Sequence, residues 1–118
     1  DRLKEQGVPT LYGDPADFDI LDNANTREAK AVIIALPDRR SQELIIQNAL
    51  RLNPRIFIIC RSHFDEDRIA LLSKGANIIV QPEFEAGVSM AKQALWVFGK
   101  RDGEIDEFVG RLKRGLGI

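Results

Sequence analysis

Arg61 is the residue of this chain best placed to do chemistry. It follows the apolar run Ile56-Phe57-Ile58-Ile59-Cys60. A guanidinium at the end of a buried strand can fork onto a phosphate or a carboxylate, whereas a purely structural residue there is more often small. Asp14, in Gly13-Asp14-Pro15, has two uses. Its carboxylate can hydrogen-bond a ribose or an adenine amino group, and it can cap the helix that Pro15 would open. Glu83 follows Pro82 at the start of another helical stretch, where a carboxylate suits the helix dipole. His63 is the only histidine and has no cluster of metal-ligating neighbours, so it reads as a loop residue. Cys60 is the only cysteine; inside an apolar run it reads as a small buried hydrophobe and excludes an internal disulfide.

Such residues need a scaffold, and the apolar runs supply it. Ala31-Val32-Ile33-Ile34-Ala35-Leu36 is apolar throughout and stopped by Pro37. It is too short for a helix and lacks polar alternation, so a strand buried on both faces is expected at 31–36. Further strands are expected near 8–12, 56–60 and 78–80. Helices alternate with them: the end of one at Asp1–Gln6, closed by Gly7, another after Pro15, one from Asp38 to about Leu52, and one from Asp65 to Lys74. The pattern is α/β, a parallel sheet of βαβ units. Beyond it, Glu83–Phe98 and 104–113 have apolar faces at helical spacing, which fits either a two-helix C-terminal arm that packs on something else, such as another copy, or a pair that folds back on its own sheet. The expected division is 1–82 for the sheet-bearing lobe and 83–118 for the arm.

In open parallel sheets, ligands sit beyond the carboxyl ends of the strands. Those ends are Gly13-Asp14, Leu36-Pro37, Arg61 to His63 and Pro82-Glu83, and the candidate binding residues lie among them. No catalytic set stands among them, and no metal-ligand spacing occurs. There is no G-x-G-x-x-G. Gly110–Gly115 has the glycine spacing of a P-loop but lacks the Lys-Ser/Thr that must follow. Lys plus Arg number 17 against 18 for Asp plus Glu in 118 residues, a balance that gives no reason to expect nucleic acid. The apolar runs are far shorter than the roughly 20 residues that span a bilayer.

Several stretches taken together resemble the TrkA-N, or RCK, domain family. They are Gly7–Asp14, Ala29–Asp38, Leu52-Asn53-Pro54, Ile58–Arg61 and Leu72–Glu83. Pro82-Glu83-Phe84-Glu85-Ala86-Gly87 is most similar to versions attached to Kef-type monovalent cation:proton antiporters. The resemblance implies that the α/β pattern is a partial Rossmann-like parallel sheet, in a cytoplasmic, non-enzymatic regulatory domain tethered to a membrane-embedded potassium or other monovalent cation transporter. It also implies a homodimer and an adenine nucleotide ligand (NAD, AMP, ADP or ATP). It places Asp14 near the adenosine, Ala35-Leu36-Pro37 under the nucleotide, and Arg61 near phosphate. It makes 83–98 the crossover helix and 104–113 its partner in the dimer interface.

The family's first strand, glycine-rich loop, first helix and second strand have no counterpart in residues 1–118, which predicts weak or no nucleotide binding by this piece alone. Ala35, Arg61 and His63 stand where calcium-gated potassium-channel members carry acidic ligands, so that kind of calcium site is not expected. In the strand order 3-2-1-4-5-6, 8–12 would be strand 3 and 31–36 strand 4. The open edge of 31–36 then needs a partner, either 8–12 itself or a second copy. Two other readings remain at this point, a truncated NAD-binding domain of a dehydrogenase and a bare dimerisation module.

Overall fold

Three of the apolar runs form strands, and all three run parallel. The computed structural model describes residues 2–115; Asp1 of the first expected helix, and residues 116–118 of the arm, lie outside them. Strands β1 (Ala31–Ile34), β2 (Phe57–Arg61) and β3 (Ile78–Val80) form one sheet in the order β1-β2-β3. Ile33 pairs with Ile59, and Ile59 with Ile78, so the sheet is in register across its middle. Five of the helices are α1 (Arg2–Glu5), α2 (Phe18–Asn23), α3 (Arg39–Leu52), α4 (Asp65–Lys74) and α5 (Pro82–Val97). The last is α6 (Asp102–Gly115). The chain divides into one unit that ends at Val80 and another that begins at Gln81.

In the first unit, α3 buries Gln42, Ile45, Ile46, Ala49 and Leu52 along one stripe. That stripe packs with Ile34, Ile58 and Cys60 of the sheet, Leu71 of α4 and Leu21 of α2. Asp38 caps α3: its carboxylate accepts from the Ser41 N–H (3.0 Å) and the Ser41 hydroxyl (2.8 Å). The Ser41 contacts hold its carboxyl below the ordinary 3.8. Because the folded state favours the ionised form, the cap contributes in full above that value and fades as pH falls through the lower folded value. The melting temperature of Asp38→Ala should therefore lie below that of the parent at neutral pH. In thermal scans, the two should converge as the solution is acidified below pH 3.8.

Four expectations need correction. Residues 8–12 form no strand. Pro9 offers no donor, β1 pairs only with β2, and Val8, Leu11 and Tyr12 are left exposed with no ladder to join. The proposal that 8–12 covers the edge of β1 falls with it. Strand β1 ends at Ile34, two residues early, because the carbonyls of Ala35 and Leu36 go to side chains (described below). Nor is the sheet buried on both faces. Side chains alternate, so Ile34, Ile58 and Cys60 point to the covered side. Ile33, Phe57, Ile78 and Val80 are exposed, Ile33 by 73%. Helices α2, α3 and α4 all pack into the one core cluster on the covered side. Finally, Asp14 is not the cap of α2. Asp17 is, accepting from the Asp19 N–H, and Asp14 instead closes the turn before it.

The second unit is the helix pair α5 and α6. Val88, Ile105 and Val109 are buried between them, with Phe84, Leu95 and Phe108 packed around. Pro82 opens α5 at a position where no amide is needed. Val97 and Phe98, at its end, are more than four-fifths exposed. No described helix is long and apolar enough to cross a membrane.

Candidate functional site at the carboxyl ends of the strands

The carboxyl ends of β1 and β2 meet around Arg61. Its Nη1 donates to the Ala35 carbonyl at 3.4 Å, and its Nη2 lies 3.4 Å from Nε2 of His63. A guanidinium only donates, so this contact is a hydrogen bond only in the tautomer whose Nε2 carries no proton. The Arg61 Nε is buried and has no partner. No carboxylate pairs with Arg61 among the described residues. The charge is thus held at the strand rim by a carbonyl and a ring nitrogen and is not neutralised.

The backbone beneath it is fixed from α3. Nε2 of Gln42 donates to the Arg61 carbonyl at 2.7 Å and also to the Leu36 carbonyl. Ser62, 2% exposed, donates its N–H to the Val80 carbonyl and its hydroxyl to the Phe64 carbonyl, each at 2.9 Å. At the start of α3, Asp38 already takes up the Ser41 N–H with its own carboxylate. Cys60, next to Arg61, is 1% exposed, and burial pushes its thiol up to about 11. Such a thiol stays protonated at neutral pH and is a packing residue, not a nucleophile.

Of the expected site residues, Ala35, Leu36 and Arg61 come together, with Pro37 next in the chain and exposed. His63 joins them. Asp14 is exposed and its carboxylate accepts from the Ala16 N–H at 2.9 Å, an Asx turn. That turn is tied to α3 by Asn48, whose amide donates to the Ala16 carbonyl at 3.0 Å. Gly13 is held at φ 154°, and a Cβ there would lie 2.5 Å from Cδ1 of Ile20, so no side chain fits without displacing Ile20. Glu83 lies in the second unit, in the exposed first turn of α5.

Gln42 was missed by reading residue types, because a glutamine in a helix's first turns usually faces water. A signal was present: position 42 falls on the stripe 42, 45, 46, 49, and a polar residue on an apolar stripe must find hydrogen-bond partners inside.

The TrkA-N domain model matches residues 1–82. The chain belongs to the TrkA-N domain family. A related protein is the putative cation/proton antiporter YbaL of Escherichia coli K12, 33% identical over 90 residues, which are 76% of this chain and 16% of YbaL. This TrkA-N chain therefore spans about one sixth of that relative's length. The crystal structure of the TrkA-N domain of E. coli YbaL superposes with a TM-score of 0.72 at 32% identity, covering 79% of this chain and 69% of that one. A structure of GsuK bound to ADP superposes at 0.60 with 25% identity, over 68% of this chain and 21% of that one. The Shewanella denitrificans Kef CTD in AMP bound form superposes at 0.75 over 97% of this chain and 81% of that one. At its 20% identity the Kef likeness speaks for the fold alone. The strand order β1-β2-β3, all parallel, is that of one half of the Rossmann-like sheet expected for a TrkA-N domain.

Proposed function

We propose that this TrkA-N domain is the cytoplasmic, ligand-sensing part of a membrane protein that moves potassium or another monovalent cation, in particular a cation:proton antiporter. Its ligand is an adenine nucleotide (NAD, AMP, ADP or ATP), bound beyond the carboxyl ends of β1 and β2. The observation that carries this reading is Arg61, a cation at the strand rim with no carboxylate partner among the described residues and a buried Nε lacking an acceptor there. An anionic group supplies what that site lacks. The names of YbaL, an antiporter, and of GsuK bound to ADP support the class of protein and of ligand. In this reading Ala35-Leu36-Pro37 lies under the nucleotide, Gly13 and Asp14 approach the adenosine, and Glu83 begins the crossover helix. A homodimer formed through α5 and α6 is part of the proposal, and the exposed Val97 and Phe98 are consistent with it.

Calorimetric titration of the full-length protein with AMP, ADP, ATP and NAD tests the reading. At least one should bind at micromolar concentration, and residues 1–118 alone should bind it more weakly. Absence of binding for all four to the full-length protein would remove the nucleotide from this proposal.

A further inference from the structure

We infer that Gln42 is the positioning residue of the Arg61 site, holding the ends of two strands at the spacing that an anionic ligand meets. The inference rests on the reading of Arg61 as the ligand contact. Gln42 is 2% exposed and its Nε2 serves two carbonyl oxygens, those of Leu36 and Arg61. Both partners only accept, so the amide must present its NH₂ group to them, and no other uncharged side chain of this length supplies two donors from one atom.

The location gives the bond pair its meaning. The ladder between β1 and β2 ends with Ile34 opposite Cys60. Beyond that rung, the β1 backbone turns away toward Pro37 while β2 runs on through Arg61. Gln42 bridges the gap that opens there, one hydrogen on each strand. Arg61 is thereby gripped twice, by its carbonyl from α3 and by its guanidinium from the Ala35 carbonyl. Gln42 is also anchored behind, because its own N–H donates to the carbonyl of Asp38, the cap of α3, at 3.0 Å. Without the side chain, the partly buried carbonyls of Leu36 and Arg61 lose its two hydrogens, and the β1 end is free to move relative to Arg61.

Two variants test this. Gln42→Met keeps the volume and removes the donors; Gln42→Glu keeps the shape and, ionised, offers no donor. In hydrogen exchange on the unliganded chain, the Ser62 amide, bonded to Val80 just past Arg61, should lose about tenfold in protection in Gln42→Met. The Ile58 and Asn77 amides, bonded to each other's residues at the amino ends of β2 and β3, should stay within about twofold. An even loss across all three would make Gln42 an ordinary core residue and overturn the inference.

In the full-length protein, Gln42→Met should weaken AMP or ADP binding about tenfold, and by no more than about twofold in an Arg61→Ala background. Full additivity of the two changes would overturn it, as would a Gln42→Glu variant that binds as tightly as the parent at neutral pH. If the full-length parent binds neither nucleotide, the reading of Arg61 fails separately, and the exchange pattern alone decides the role of Gln42.

Discussion

Arg61→Ala in the full-length protein should weaken the binding of AMP or ADP by about 1.5–3 kcal/mol, a factor of roughly 10 to 150, as expected for a charge-assisted hydrogen bond to an anion. The effect is large because no carboxylate among the described residues competes for Arg61, which contacts the Ala35 carbonyl and the His63 ring. Arg61→Lys should recover only part of the loss. A lysine brings the charge but cannot reach a carbonyl and a phosphate with one planar fork. Folding should change little, since the backbone carbonyl that Gln42 holds is kept in either variant. Isothermal titration of the three proteins, alongside their melting temperatures, reads both quantities. Equal affinity for parent and Arg61→Ala would return Arg61 to a structural role, and so would a large drop in melting temperature.

The second large effect is on stability, and it depends on which face of the sheet a residue occupies. Ile58→Ala should destabilise the chain by about 2–5 kcal/mol, the range for emptying a fully buried site. Ile58 is 0% exposed on the central strand, among α3 and α4. Against a typical total of about 5–15 kcal/mol, that loss moves a urea midpoint substantially. Ile33→Ala, on the neighbouring strand but 73% exposed, should cost less than about 1 kcal/mol. Chemical denaturation of the two variants separates the cases. Similar losses would mean that the outer face of β1 is as well packed as the inner one.

That contrast also marks where the sequence could be read and where it could not. The strands near 31, 56 and 78 were legible because each is an apolar run ended by a proline or a polar turn, and α3 because Asp38 and Asn53 bracket a helical stripe. The segment 8–12 looked like a strand by composition, yet a strand exists only with a neighbour, and the pairing edge is not encoded in Val8–Tyr12. The apolar runs likewise suggested two covered faces. Alternation decides which residues point each way, but not whether anything packs on the second side. Arg61 was legible as the end of a strand from its place after an apolar run. Gln42 was hidden because its partners are backbone carbonyls, which carry no residue-type signature.

The sequential order of the sheet has a consequence for how the chain is made. Each strand pairs with the next one synthesised, Ala31 with Phe57 and Ile59 with Ile78, separations of 26 and 19 residues. Loops of that size close at modest entropic cost. Synthesis proceeds from the N-terminus at roughly 5–20 residues per second, slow beside hairpin-scale motions. Once α3 and β2 have left the ribosome, β1 has its ladder partner and its covering helix. The β1-α3-β2 unit can dock before β3 exists, and β3 then adds to an edge already in place, so the half-sheet can assemble in the order in which it is translated.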